Sequence, residues 1–120
     1  MAVSLENWVP GFLAAFPGGM ATADPEELAR NAGDAWLASQ LPHAVFYPEC
    51  GESVVRLAQW ASHAGVSITP RGAGRGYVGG CVPVRGGIVV NFSRMNRIHE
   101  IDPQDGVAIV EPGVITAQVQ

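Results

Sequence analysis

Residues 69–87 read TPRGAGRGYVGGCVPVRGG and hold seven of the chain's 15 glycines. VSITP leads into this stretch and GIVVNF follows it, both apolar, β-branched runs that read as strands. Glycine loses more backbone entropy on ordering than any other residue. A glycine-rich stretch therefore needs tight turns, or a partner that must lie directly on the main chain. No helix fits within it. The loop thus dictates the topology around it as strand, wide glycine turn, strand. It also sets the turn at the carboxyl end of the first strand, where open sheets usually bind ligands.

The remaining elements fall into place on either side. Ser4 to Phe16 predicts a short helix with Ser4 as N-cap and Leu5, Trp8, Val9, Phe12 and Phe16 at helical spacing. Asp24-Pro25-Glu26-Glu27 predicts a second helix, ending near Gly33. Residues 1–40 read as a helical leader. From Leu41 the pattern changes to a strand at AVFYP, an amphipathic helix at ESVVRLAQWASHAG with Val54, Leu57, Ala58 and Ala61 on one face, and a C′ glycine at Gly65. GIVVNF is apolar enough for burial on both faces. IHEID and VAIVEPG predict a hairpin around residues 102–106, and a helix starts near the end. The expected fold is α+β: a leader, then β-α-β, the glycine loop, β-β-β and a helix start. The chain stops at GVITAQVQ without a cap, and we expect it to be the front part of a longer protein.

Charge narrows the function. The net charge is −4, which argues against nonspecific nucleic-acid binding. Between Ser53 and His99, however, every formal charge is positive, from Arg56, Arg71, Arg75, Arg85, Arg94 and Arg97. A basic window centred on a glycine loop in an acidic chain suits a small anionic ligand. Cys50 and Cys81 form no CxxC pair and have no histidine at ligand spacing, so neither a zinc site nor a disulfide framework is expected. No apolar run is long enough to span a bilayer, there is no signal-peptide pattern, and a cytoplasmic location is the expectation.

Three designs bind phosphate through glycine loops. The P-loop needs a lysine, and the chain has none. The dinucleotide fingerprint GxGxxG matches Gly74 to Gly79, with Glu100 about twenty residues on, but it works only where a helix begins at the loop. Here Gly80, Pro83, Gly86 and Gly87 lead into a strand instead. The third design is a nest of successive backbone N–H groups without a helix. Each such bond to a phosphate contributes about 1.5–3 kcal/mol, and Arg71 and Arg75 would add positive field. A glycine-rich connection that binds nothing is the structural alternative.

TPRGAGRGYVGG, GGIVVNFSRMNRIHEID and VAIVEPGV together closely resemble the FAD-binding module of the vanillyl-alcohol oxidase (PCMH) type, in its glycolate oxidase and D-lactate dehydrogenase branch. The likeness runs over residues 41–120, as the first part of such a domain cut short at its carboxyl end. It implies that FAD is the cofactor and that its pyrophosphate lies on the backbone of Arg71, Gly72, Ala73, Gly74, Arg75 and Gly76, with Gly79 and Gly80 close by. It places Pro48 near the adenosine half and gives Gly113 a backbone role. Members that bind flavin covalently at this loop often carry histidine after the glycine pair. Here Cys81 follows Gly79 and Gly80, so noncovalent FAD is expected.

The same likeness implies oxidation of a small 2-hydroxy acid, an iron–sulfur partner subunit, and a location in the cytoplasm or at the inner face of the membrane. The family's reacting groups lie beyond this stretch, so no catalytic and no metal-binding residue is named. Two rival readings are a noncatalytic nucleotide- or anion-binding module and an enolpyruvyl reductase on the same module. The latter usually carries G-x-G-S-N, and Arg75 stands where its serine would fall. His43, His63 and His99 read as ordinary surface or satisfied residues, and Trp8, Trp36 and Trp60 as core or domain contacts.

Overall fold

The computed structural model describes residues 5–35, 38–75 and 79–120, without the side chains of Leu5 and Glu6. Four strands form one sheet: β1 (Ala21–Thr22), β2 (Ala44–Phe46), β3 (Ile68–Arg71) and β4 (Ile88–Asn91), in the order β1-β2-β4-β3. β2, β3 and β4 run parallel, and β1 pairs antiparallel with β2. The chain crosses from β2 to β3 through a helix, then returns through the glycine loop to lay β4 between them. A strand in that position is covered on both faces, and Ile88, Val89 and Val90 are buried. This is why GIVVNF lacks the alternation of a half-exposed strand.

Helix α1 (Val9–Ala15) follows a 3-10 turn at Leu5–Trp8. The single helix expected over residues 4–16 is thus divided, because Pro10 has no N–H to donate and is tolerated only in a first turn. The Ser4 cap lies outside the described residues, as does Trp36. Phe12 of α1 and Phe16 at its C-terminal cap enter the core against Phe46 of β2, with ring centroids 6.2 and 5.0 Å away. α2 (Pro25–Arg30) starts at Asp24 as expected but ends three residues before Gly33. β1, only two residues long, has no sequence signature; its pairing with β2 joins the leader to the sheet.

α3 (Gly51–Ala64) covers the sheet with Leu57 and Ala61 buried, Val54 half-buried and Ala58 turned outward. Gly65 closes it in the left-handed conformation at φ 71°. Trp8 and Trp60 meet edge-on at 6.1 Å beside Phe12. β5 (Ile98–Asp102) and β6 (Val107–Val110) form the expected hairpin. Its turn is held by the Asp102 carboxylate, which accepts from the N–H groups of Gln104 and Asp105 at 3.0 and 3.2 Å. α4 (Thr116–Val119) begins with the Ile115 N–H donating to Gln118 Oε1 at 2.9 Å.

Candidate functional site

Arg71 and Asn91 sit in register at the carboxyl ends of β3 and β4. Above them lies a cleft of about 400 Å³. The glycine loop supplies Gly72, Ala73 and Arg75, the end of β4 supplies Asn91 and Ser93, and the turn after the hairpin supplies Gly113. Arg30 reaches in from α2, so three arginines and, among the described residues, no carboxylate line the space. Arg30 is held from behind by Glu27 at 2.7 Å, whereas the Arg75 side chain is exposed.

The loop offers its backbone to this cleft. Among the described residues, none accepts a hydrogen bond from the N–H of Gly72, Ala73, Gly74 or Arg75. Successive N–H groups that have no acceptor among the described residues are the kind of donors an anion-binding nest requires. Arg71 holds the array from within. Its guanidinium donates to the Gly33 carbonyl and lies 3.8 Å from Cys81 Sγ. Gly74 stands over that guanidinium at φ 75°, and a Cβ there would come within 2.4 Å of Nη2. Gly72 passes close to the hairpin's exit, where a Cβ would meet the Pro112 carbonyl oxygen at 3.3 Å.

Arg71, Gly72, Ala73 and Arg75 therefore line one cleft, with Gly74 seated over the Arg71 guanidinium. Gly76 lies outside the described residues. The Gly79 N–H is directed to Asp34 Oδ2 at 3.0 Å, and Gly80 follows in an exposed turn. Pro48 is fully buried just past β2 and is not part of the cleft lining. His43 is structural: its Nδ1 accepts the Gly87 N–H at 2.8 Å.

Several residues that shape the site escaped the sequence reading. Asn31, fully buried, donates to the Glu27 carbonyl at 2.7 Å and to the Tyr47 hydroxyl at 3.1 Å. It accepts from Asn91 Nδ2 at 2.7 Å. It thereby ties α2 to the ends of β2 and β4, and recruiting its side chain to this network is what stops α2 early. Tyr47 donates to the Glu27 carboxylate, and burial together with that bond pushes its phenol above the usual range, so it stays protonated. A polar residue ending an apolar strand, such as Asn91, is the one signal that could have pointed here. Asn31→Ala leaves the Asn91 amide and the Glu27 carbonyl without their partner, and is expected to cost about 2 kcal/mol. Urea unfolding read by tryptophan fluorescence checks it; a loss below about 0.5 kcal/mol, the level of a neutral surface change, would show the network to be dispensable.

A mainly parallel sheet with a helix-free glycine loop and arginines at its carboxyl end differs from both the P-loop and the Rossmann motif. The family described as FAD binding domain matches residues 42–120, and the chain belongs to it. FAD is the cofactor of such a domain. The chain is 42% identical over 76 residues to the glycolate oxidase subunit GlcD of Bacillus subtilis, covering 63% of this chain and 16% of the relative. It is 37% identical over 79 residues to a D-2-hydroxyglutarate dehydrogenase of Stutzerimonas stutzeri, covering 66% and 17%. Its fold superposes on p-cresol methylhydroxylase with a TM-score of 0.78 at 24% identity, over 98% of this chain and 24% of that one. The chain thus spans about a sixth of the length of these curated relatives.

Proposed function

We propose that this chain is the cofactor-holding part of an oxidoreductase acting on a small 2-hydroxy acid, with FAD bound noncovalently. The backbone of Arg71, Gly72, Ala73, Gly74, Arg75 and Gly76 receives the pyrophosphate, Gly79 and Gly80 flank it, and Pro48 backs the adenosine half. The observation that carries this is the run of N–H groups at residues 72–75 without an acceptor among the described residues, in a loop whose Gly72, Ala73 and Arg75 line a cleft with Arg30 and no described acid. Such bonds to a charged group contribute about 1.5–3 kcal/mol each. FAD, when bound, supplies the hydride-accepting chemistry. These residues bind, orient and neutralise the diphosphate. Residues 1–40 serve as the leader to the module in residues 41–120.

The names of the relatives support glycolate or D-2-hydroxyglutarate as substrates, and the resemblance to the D-lactate dehydrogenase branch adds D-lactate. Since the Bacillus relative is named as a subunit, the reading extends to an assembly with other chains, and the resemblance adds an iron–sulfur partner among them. No helix among the described residues is long and apolar enough to cross a membrane, and we place the protein in the cytoplasm or at the inner membrane face.

The native gene product should purify yellow, release all its flavin on acid precipitation, and lose its visible absorption when one of these hydroxy acids is added anaerobically. Flavin that stays with the precipitate would contradict noncovalent binding, and a spectrum indifferent to all three acids would contradict the substrate class. Arg75→Ala removes an exposed charge from the cleft without altering the loop backbone. It is expected to weaken FAD by about tenfold, the low end for a charged hydrogen bond. Unchanged affinity in a fluorescence titration would mean that Arg75 faces solvent only.

A further inference from the structure

The mouth of the glycine loop is held at two points, and both partners come from one dipeptide of the leader. The Gly33 carbonyl accepts from the Arg71 guanidinium at the entry to the loop, and the Asp34 carboxylate accepts from the Gly79 N–H at 3.0 Å. Gly33 is itself fixed: it bridges Ser39 as an isolated antiparallel pair, and Gln40 N–H donates to the Ala32 carbonyl at 3.0 Å. Two residues earlier Asn31 is anchored to Asn91 at the end of β4, and one residue before that Arg30 lines the cleft. The segment Arg30-Asn31-Ala32-Gly33-Asp34 thus runs from the carboxyl end of the sheet to the loop and touches the site at four of its five positions.

We propose that Gly33-Asp34 is a positioning clasp for the cofactor loop, and that Asp34 is its determining residue. The proposal rests on the reading of this loop as the diphosphate site. Free glycines sample many conformations, so an array of N–H groups is useful only if something else directs them to one point. A carboxylate accepting a backbone N–H makes a charge-assisted bond, stronger than a neutral one. It anchors the far shoulder of the loop while leaving residues 72–75 uncommitted. Asp34 contacts no cofactor in this account. It reduces the ordering that binding would otherwise require, which is how preorganisation raises affinity.

The test uses the native gene product with Asp34→Ala and Asp34→Asn. Asparagine keeps an acceptor oxygen for the Gly79 N–H but removes the charge. Two readouts are taken: hydrogen exchange of the peptide containing Gly79 in the FAD-free protein, and the Kd for FAD. Asp34→Ala should exchange about tenfold faster at that peptide and bind FAD about tenfold more weakly, with the FAD-free melting temperature nearly unchanged. Asp34→Asn should recover most of both, to within about threefold of the parent. Parent-like exchange and affinity in Asp34→Ala would overturn the clasp. So would an Asp34→Asn protein no better than Asp34→Ala, or an Asp34→Ala protein that fails to fold, since the bond proposed holds a loop and not the core. If the parent itself refuses FAD, the diphosphate reading fails while the exchange data still decide whether Asp34 holds the loop.

Discussion

Gly113→Ala is expected to destabilise the protein by more than about 3 kcal/mol, beyond the usual range for an overpacked site. Its backbone does not adopt a positive φ; the reason is distance. A Cβ at Gly113 would stand 2.0 Å from the Phe92 carbonyl oxygen and 2.8 Å from that of Met95, and both are main-chain atoms that no rotamer change can move aside. The Gly113 N–H already donates to the Met95 carbonyl at 2.8 Å, so the turn cannot retreat without losing that bond. The same turn brings Pro112 against Gly72 and places Gly113 in the cleft wall. The variant should therefore lose FAD together with stability. Gly106→Ala is the matched control. Gly106 lies at φ 66° with open space around it, so alanine there incurs only the left-handed penalty of about 1–2 kcal/mol. Equal unfolding free energies for the two variants in urea would refute the close-approach account.

Phe46→Ala should cost about 3–5 kcal/mol, the range for removing a fully buried aromatic ring. Phe46 is wholly excluded from solvent in the middle strand of the leader's attachment, with Phe16 at 5.0 Å and Phe12 at 6.2 Å between ring centroids. Trp60 of α3 lies 5.4 Å from Phe12 on the same cluster. Truncation leaves a cavity bounded by three elements that are held apart by their own hydrogen bonds, so little collapse can compensate. Because Phe46 does not line the cleft, the folded fraction should bind FAD with affinity close to that of the parent. Phe46→Leu should recover most of the loss. A Phe46→Ala protein within about 1 kcal/mol of the parent in urea would place this core elsewhere.

The parts of this fold readable in the sequence are those set by local chemistry. GIVVNF announced a strand covered on both faces, Gly65 announced the end of α3, and Asp102 to Gly106 announced a turn, because each depends on near neighbours. The glycine loop and the helix-free run of described residues from Gly79 to Gly87 were legible for the same reason. What depends on distant residues was not. β1 is two residues long and exists through its pairing with β2. Asn31 looks like any polar residue after a helix, yet it is completely buried, satisfied by groups at positions 27, 47 and 91. Arg71 was recognisable as a cation near the loop, but its engagement by Gly33 follows from the leader's path across the sheet. Asp34 carries no local mark at all.

The most direct measurement compares FAD with riboflavin, which has the same ring system and no diphosphate, in equilibrium titrations of the FAD-free native protein. If the amides at residues 72–75 grip the diphosphate, even three such bonds at about 1.5 kcal/mol each make riboflavin at least about a thousandfold weaker. Riboflavin binding as tightly as FAD, or no binding of FAD at all, would contradict the account.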